Sequence, residues 1–273
     1  MVKKYLIVFV AMCMIQLAPV GLGAHHSVAA KEEKQVKIPD TVKDISRHNT
    51  YPNPDMDPEY VQPSPTALEL FKTTDYSIAN PNLIRLLNES TIQSSKLAVG
   101  FRANIYLGNW ALNYESKETS LNWEYKQVNI NHADNRGGTD LVELSYEQNE
   151  EFTATGGLTT EVFAEDDVKK LMIAKAKENT KLNLAFKSTI GRGTKHDTML
   201  KVPAKKVGYL QAFTPAASER GTVTYGEVYL NISGGEKKLI IKNVTQKGVG
   251  AWIPVQDKLT FRYVVADQPK KQP

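Results

Sequence analysis

Residues 222–244 read TVTYGEVYLNISGGEKKLIIKNV, and this stretch decides the fold class. Apolar and polar side chains alternate through 222–232 and again through 237–244, which is the period of a half-buried β-strand. Between the two runs, SGGE (233–236) supplies the glycines that a tight turn requires. The stretch therefore predicts an antiparallel hairpin within a larger sheet.

Seven further segments on both sides of this hairpin have a strand-like pattern. They are LAVGFRANIYL (97–107), LNWEYKQVNI (121–130), TDLVELSYEQNEEF (139–152), LTTEV (158–162), KLNLAFKSTI (181–190), KVGYLQAF (206–213) and KLTFRYVV (258–265). Gly108 and Asn109 form a turn dipeptide, so the chain is predicted to reverse after the first of them. The glycine-rich NHADNRGGTD (131–140) is likewise predicted to close a hairpin.

Two short helices are predicted before these strands. Ser64 precedes a proline and ALELFK (67–72), and Asn80 precedes a proline and NLIRLLNES (82–90). A polar N-cap residue followed by proline at the first helical position is typical of a helix start. The apolar residues of the second helix form a stripe, which predicts that it packs on the sheet.

A longer surface helix is predicted at about 165–179, within AEDDVKKLMIAKAKENT (164–180). Acidic residues at its start and lysines later complement the helix dipole, and one face is apolar. Together the elements predict a strand-rich α+β fold with mostly antiparallel sheets. We expect a single domain at 64–266, because no sequence repeat or long linker divides the chain.

The N-terminus has the pattern of a secretory signal peptide. Lys3 and Lys4 precede an apolar stretch at 5–20, and small residues follow it. We predict a signal peptide at 1–29 with cleavage after Ala29. The alternative cleavage sites are Ala24 and Ala30, and a retained membrane anchor is the competing interpretation. The protein is therefore expected to be secreted or associated with the cell envelope.

The single cysteine, Cys13, lies inside the predicted signal peptide. Lipidation is not expected, because Met12 occupies the place where a lipoprotein needs a small residue. Signal cleavage would leave no cysteine, which excludes disulfides and thiolate metal sites from the mature chain. It would also lower the formal net charge from +4 to +2, which argues against a nucleic-acid partner. No transmembrane segment is predicted after cleavage.

Both ends of the domain are predicted to be irregular. Residues 30–63 form a proline-rich arm, which we expect to lie extended across the domain surface. Its acids, Asp55, Asp57 and Glu59, lack the glycine turn and the ligand alternation of a calcium loop. At the other end, 267–273 is predicted to be a disordered tail.

The sequence carries no signature of a known catalytic class. It contains no GxSxG, SxxK or HExxH motif, and His48, His132 and His196 are far apart along the chain. Adjacent His196 and Asp197 would point to opposite sides of a strand. Pairs of carboxylates are present, but their spacing does not place them across a cleft. We therefore expect a protein that is not an enzyme, with no catalytic residue, cofactor or bound metal.

Aromatic and amide side chains concentrate in YLGNWALNYES (106–116), and a further tryptophan lies in VGAWI (249–253). Such residues bind sugars and peptides by stacking and hydrogen bonding, and they also anchor hairpins to a core. The candidate ligand contacts are Tyr106, Asn109, Trp110, Tyr114 and Trp252. For Trp110 the core anchor is the favoured interpretation.

Six motifs resemble one family. They are ISRHNTYPNP (45–54), NPNLIRLLNES (80–90), IYLGNWALNYESKETSLNWEY (105–125), DNRGGTDLVELSY (134–146), VTYGEVYL (223–230) and VGAWIPVQDKLTF (249–261). With them the chain resembles the YfkD-like family of exported proteins from spore-forming bacilli, from about Pro39 to Ala266. The resemblance implies export and one domain, and it carries over no activity, catalytic residue or cofactor.

Three classes of function remain open. The favoured hypothesis is an exported, non-enzymatic protein that binds a cell-wall polymer or an envelope protein. The alternatives are an enzyme of unrecognised, hydrolase-like type and a strand-rich, toxin-like protein that assembles on membranes. The last rests on TATGGLTTEV (153–162) and GTVTYGEVY (221–229), which only weakly resemble pore-forming hairpins. The oligomeric state stays open as well.

Overall fold

The structure, a computed structural model, describes residues 36–45, 61–90 and 102–269. The predicted signal peptide with its cleavage sites lies outside these residues. So do most of the proline-rich arm, including Asp55, Asp57 and Glu59, and the first part of the strand predicted at 97–107. The described residues all belong to one unit, Gln35–Pro273.

Ten strands and three helices make up the described part of the chain. In chain order they are β1 (Val42–Asp44), α1 (Pro65–Phe71), α2 (Pro81–Glu89), β2 (Arg102–Asp134), β3 (Val142–Glu147), β4 (Phe152–Thr155), β5 (Gly157–Leu158), α3 (Glu165–Thr180), β6 (Lys187–Ile190), β7 (Lys195–Val202), β8 (Val207–Ser233), β9 (Glu236–Pro254) and β10 (Lys258–Ala266). All the paired strands are antiparallel. The predicted strand-rich α+β fold is confirmed.

Strand β8 is the centre of the main, six-stranded sheet. Along one edge it pairs with β2, from Arg102 opposite Ser233 to Asp134 opposite Val207. Along its other edge, β10 pairs with the first part of β8 and β9 with the rest. Short β1 and β5 extend the sheet beyond β10 and β9. The pairs β3–β7 and β4–β6 form two separate two-stranded sheets.

The hairpin and the helix starts that the sequence predicts are confirmed. Strands β8 and β9 are joined through Gly234 and Gly235, whose φ angles are +60° and +90°. Ser64 caps α1 by accepting a hydrogen bond from the Ala67 amide, and Asn80 caps α2 in the same way. Helix α3 begins and ends within one residue of the bounds predicted for it.

The hairpin predicted at Gly108 and Asn109 is wrong, because β2 continues through both residues. Gly108 has a φ of +115° and lies at the first of five register shifts between β2 and β8. With these bulges β2 uses 33 residues where β8 uses 27. A bulge absorbs a residue with turn character without reversing the strand. The described part of the strand predicted at 97–107 and the strand predicted at 121–130 therefore belong to one strand.

The strands predicted at 206–213 and 222–232 are likewise one strand, β8, although Pro215 lies between them. A proline cannot donate to a ladder and is tolerated within a sheet at a bulge. Pro215 is passed over in the pairing with β2, opposite the longest of the β2 bulges, and its carbonyl accepts a hydrogen bond from the Val255 amide. Irregular pairing at this point accommodates the proline.

The hairpin predicted at 131–140 is also wrong, because β2 and β3 do not pair with each other. The end of β2 pairs with β8, and β3 pairs with β7. The turn is held by buried Asn135, whose amide donates to the carbonyls of Asp140 (2.7 Å) and Val202 (3.0 Å). Those bonds direct the chain onto β7 and away from a simple reversal.

Five smaller predictions also differ from the structure. The proline-rich arm contains regular structure, since β1 pairs with β10. Three predicted strands are shorter: 139–152 is divided into β3 and the start of β4, the strand at 158–162 ends at Leu158, and the strand at 181–190 begins at Lys187. Asp267, the first residue of the predicted tail, forms an ion pair with Lys206.

Three apolar clusters follow one another along β8. The first, around Leu210 and Ala212, is covered by β3, β6 and β7. The second, around Ala217 and Val223, is covered by α3. The third, around Leu230, is covered by α1 and α2. One long strand, β8, therefore contributes residues to all three apolar clusters.

Candidate binding face

The five predicted ligand contacts do not form one ledge. Tyr114 is buried, with 1% of its surface exposed, so it is not available to a ligand. Trp110 is half-buried beside the third cluster, and its indole nitrogen donates to the Leu107 carbonyl at 2.9 Å. Trp252 is half-buried on β9, where it stacks on Tyr125 with ring centroids 5.2 Å apart.

The two tryptophans are also far apart along the sheet. Trp110 lies opposite Gly226 and Trp252 opposite Ser218, eight residues apart on β8. At about 3.3 Å per residue this separation is roughly 26 Å. No single small ligand reaches both rings.

The bulge at Leu107 sorts the remaining candidates by face. Tyr106 lies opposite Tyr229, and Asn109 lies opposite Glu227. Residues directly opposite each other in an antiparallel pair point to the same side of the sheet. Tyr106 and Asn109 therefore share the side away from α1 and α2, which is open at this end of the sheet, while Trp110 packs on the side of α1 and α2, which we call the helix side. Further along β8, α3 covers the same side as Tyr106, at Val223 and Tyr225.

Three neighbouring strands build this open side. We call it the tyrosine–asparagine face and define it by six residues: Tyr106, Asn109, Glu227, Tyr229, Lys242 and Asn243. Lys242 of β9 lies opposite Glu227, which completes a row across β2, β8 and β9. Asn104, Asn231 and Lys238 form a parallel row, which lies four residues further along β8 than the row through Glu227. The face is thus a strip of aromatic and amide side chains along three strands.

The aromatic pair is the apolar centre of the face. The rings of Tyr106 and Tyr229 lie 5.0 Å apart at an angle of 44°. Lys242 places its Nζ 5.0 Å from the Tyr229 ring centroid, which is a favourable cation–π position. Tyr106 remains 54% exposed, so its ring is the one available for stacking.

The charges on the face are matched internally. The Tyr229 hydroxyl donates to Glu227 Oε2 at 2.8 Å. The hydrogen bond from Asn243, the hydrogen bond from Tyr229 and the charge of Lys242 lower the pKa of Glu227. Because its hydroxyl donates to that carboxylate, the pKa of Tyr229 is raised. The carboxylate is therefore held ionised with its partners around it, and the face favours ligands without a strong net charge.

A family comparison agrees with the resemblance seen in the sequence. The family described as YfkD-like protein matches residues 39–270. The chain belongs to the YfkD-like family. One relative, Uncharacterized protein YfkD of Bacillus subtilis (strain 168), is 52% identical over 238 residues, which cover 87% of this chain and 90% of that protein. Neither description names a ligand or an activity, so the function of this YfkD-like chain has to be argued from its surface.

Part of the face was missed from the sequence alone. The strand pattern of TYGEVYLN (224–231) places Glu227, Tyr229 and Asn231 on one side, and the hairpin brings Lys242 across from them. That much could have been found from the alternation and the turn. The pairing of these residues with Tyr106 could not, because more than a hundred residues of the chain separate Tyr106 from Tyr229.

Among the described residues of this YfkD-like chain, the most deeply buried carboxylate lies elsewhere, at Glu219. It accepts hydrogen bonds from the Tyr114 hydroxyl at 2.8 Å and the Thr119 hydroxyl at 2.5 Å. Asn179 of α3 donates to Thr119 and to Ser116, which closes the network. With 0% of its surface exposed, Glu219 contacts no solvent, and its bonds join β2, β8 and α3.

Metal-ligating side chains do not converge at any one place within the described residues. Among them, no group of three or more His, Cys, Asp and Glu side chains is placed to hold a metal ion. The two described histidines lie at separate places, the His132 ring beside Tyr209 and the His196 ring beside Phe261. No helix in the described ranges is long and apolar enough to span a membrane.

Proposed function

We propose that this YfkD-like protein is an exported, non-enzymatic component of the cell envelope whose tyrosine–asparagine face binds a cell-wall polymer. The observation that carries the proposal is the half-exposed ring of Tyr106, which lies against Tyr229 and is flanked by Asn104 and Asn109. An aromatic ring packs on the apolar face of a sugar, while amides donate to and accept from its hydroxyl and acetamido groups.

The shape of the face favours a polymer over a small ligand. The face is a strip along three paired strands and not an enclosed pocket, so a ligand must gain its affinity from several shallow contacts in a row. A chain of repeated sugar units offers such contacts at regular intervals. The internal matching of Glu227 by Tyr229, Asn243 and Lys242 favours an uncharged part of that chain.

The non-enzymatic part of the proposal rests on the state of the carboxylates. Glu219 is buried and bonded to two hydroxyl groups, so it has no access to a substrate. Glu227 is bonded to Tyr229, and its lowered pKa makes it a poor proton donor at neutral pH. Neither group has the environment of a general acid.

Export is supported by the signal-like N-terminus, with Lys3 and Lys4 before the apolar stretch. The test is N-terminal sequencing of the protein recovered from the medium and envelope of a Bacillus host that expresses the full chain. We expect a new N-terminus after Ala29, or after Ala24 or Ala30. A chain that keeps Met1 and stays inside the cell would contradict export.

Polymer binding is tested by co-sedimentation of the processed protein with purified cell-wall sacculi. We expect retention above that of a control protein of similar size and charge, and release by soluble wall fragments. Retention should change little between about 0.05 M and about 0.5 M salt, because stacking and neutral hydrogen bonds are not screened by ions. Retention that disappears with salt would indicate lysines attracted to anionic polymers, and no retention would count against wall binding.

A further inference from the structure

The outer edge of β2 is the longest strand edge without a strand partner in the described structure. Strand β2 pairs with β8 along its whole length and with no other strand of the described ranges. An open edge exposes backbone donors and acceptors that can pair with another strand. Natural proteins protect such edges with bulges, prolines and charged side chains.

Bulges divide β2 into short regular stretches, because the register with β8 is interrupted after Tyr106, Ala111, Ser116, Asn122 and Gln127. The last regular stretch, Asn129–Asp134, is partly covered, since Asn129 and Asn131 both donate to the Glu147 carbonyl. The first, Arg102–Tyr106 (RANIY), pairs residue by residue with Tyr229–Ser233 and contains no proline or bulge. Its one charged residue is Arg102, at its start. It is therefore the part of the edge best suited to accept another strand.

An apolar side chain is left partly uncovered at this place. Ile105 lies opposite Leu230, and Ala103 lies opposite Ile232, on the helix side of the sheet. Leu230 is 2% exposed and Ile232 7% exposed, whereas Ile105, one strand further out, is 37% exposed. The apolar layer thus reaches the free edge and ends there without cover from the described residues.

We propose that Arg102–Tyr106 pairs antiparallel with the same stretch of a second copy of the chain, centred on Asn104. This pairing sets Ala103 beside Ile105 twice on the helix side, so the uncovered apolar surface is buried. On the open side it sets Arg102 beside Tyr106 twice, so that no two like charges face each other. The two Asn104 amides lie side by side at the centre.

Self-complementarity is the argument for a second copy as the occupant. A two-fold axis requires that each residue suit its own symmetry partner, and RANIY meets that requirement at all five positions. None of the described contacts engages the Arg102 side chain. The chain's own segment 91–101 and a different protein are the competing occupants, and the experiments below separate them from a second copy.

The pairing also has a consequence for binding, which rests on the proposed function. A two-fold axis between antiparallel edge strands runs perpendicular to the sheet, so both tyrosine–asparagine faces lie on the same side. The dimer presents one continuous strip made from two faces. A polymer with repeated units then binds both, and the second contact is made at a high effective concentration.

Mass as a function of concentration tests the dimer without reference to any ligand. For the processed protein, sedimentation equilibrium should show an average mass that rises from one chain toward two. Ile105→Lys places a charge inside the edge and should weaken dimerisation at least about tenfold. The matched control is Val265→Lys on β10, where the valine has a similar exposed fraction of 39%. A wild-type protein that stays monomeric, or an Ile105→Lys variant that dimerises normally, overturns the proposal.

A cysteine at the centre of the pairing tests its register. Opposite residues of an antiparallel pair have Cα atoms about 4.5–5.5 Å apart, which a disulfide can bridge. In a Cys13→Ser background, Asn104→Cys should therefore form a covalent dimer under mild oxidation. The control is Asn109→Cys, on the same strand and equally exposed to solvent, which should remain monomeric. Failure of Asn104→Cys to cross-link, or equal cross-linking of the control, excludes this register and with it the proposed interface.

Discussion

At the residue scale, Tyr114 shows how a side chain that looks suited to binding serves the fold. Its ring passes over Gly221 of the neighbouring strand to reach Glu219. A β-carbon on Gly221 would lie 2.1 Å from the Glu115 carbonyl oxygen and 2.5 Å from the Tyr114 hydroxyl. The absent side chain of Gly221 is therefore what admits Tyr114 to the interior.

Gly221→Ala is expected to destabilise the protein strongly. The new methyl group collides with backbone that cannot move without breaking the sheet, so the cost should reach or exceed about 1–3 kcal/mol. Urea unfolding followed by circular dichroism measures the change. The control is Gly248→Ala on β9, where a β-carbon meets nothing within 4 Å, and its effect should stay within about 0.5 kcal/mol. Equal effects of the two substitutions would show that Tyr114 is not packed as described.

Tyr114 should also shape stability at alkaline pH. Burial raises the pKa of Tyr114, and its hydrogen bond to Glu219 and that carboxylate's charge raise the pKa further. In the unfolded chain Tyr114 ionises near pH 10, while in the folded protein it stays neutral. Its contribution to the free energy of unfolding is therefore constant below about pH 10 and falls above it by up to about 1.4 kcal/mol per pH unit.

Tyr114→Phe removes that contribution to the alkaline slope. Unfolding free energies measured from pH 9 upward should therefore fall less steeply for the variant than for the wild type. At neutral pH the variant should be less stable by about 1–3 kcal/mol, because Glu219 loses a buried donor. Parallel pH curves for the two proteins would contradict the account of this hydrogen bond.

The sequence predicts chemistry at this scale better than it predicts position. The aromatic and amide residues of 106–116 form a group in the sequence, yet bulges distribute them between two faces. Tyr106 and Asn109 lie on the open side and Trp110 on the other, while a second bulge returns Tyr114 to the first side, where α3 buries it. A side chain's face follows from counting in twos, and a single extra residue such as Leu107 reverses the count.

At the element scale, the main lesson is that β2 is one strand and not two. Gly108 and Asn109 have the composition of a turn, and Pro215 has that of a strand end. Both are absorbed by irregular pairing in the β2–β8 ladder. Local propensity cannot reveal this, because the pairing that holds the strand straight comes from distant residues.

Hydrogen exchange distinguishes one long strand from a hairpin. We expect the amides of 107–115 that face β8 to exchange slowly, at rates like those of 226–232, since both stretches belong to the same ladder. The turn at 136–139 should exchange fast and serves as the internal reference. Fast exchange centred on Gly108 and Asn109 would restore the hairpin.

The helices depend on a second buried polar contact. Asn80 caps α2 through its side-chain oxygen, and its amide donates to the Ala111 carbonyl (2.8 Å) and to Asp167 of α3 (2.9 Å). Both helix starts are thereby fixed to β2. The sequence revealed the cap from Asn80 and the proline after it, but not the contact with α3, which depends on packing.

Asn80→Ala should cost more than the loss of an ordinary cap. A cap contributes about 1 kcal/mol, and leaving Asp167 short of a buried donor adds about 1–3 kcal/mol. Thermal and urea unfolding measure the sum. Glu89→Ala, at an exposed position of the same helix, should change stability by less than about 0.5 kcal/mol. A loss of only 1 kcal/mol for Asn80→Ala would show that the contact with α3 contributes little.

At the scale of the whole molecule, the central strand connects the core to the binding face. The side of β8 that faces α1 and α2 carries Val228 and Leu230, and the other side carries Glu227 and Tyr229. The fold class, the helices and the β8–β9 hairpin followed from the sequence because they are local. The order β2–β8–β9, which assembles the face, is set by contacts between distant segments and was not predicted.

The most direct test of the account is a set of binding isotherms on purified sacculi for the wild type, Tyr106→Ala and Tyr125→Ala. The two variants each remove one ring from an aromatic pair, but Tyr125 stacks on Trp252, away from the tyrosine–asparagine face. We predict that Tyr106→Ala weakens binding at least about tenfold, equivalent to about 1.4 kcal/mol, while Tyr125→Ala binds like the wild type. Unchanged binding by Tyr106→Ala, or equal losses in both variants, would contradict it.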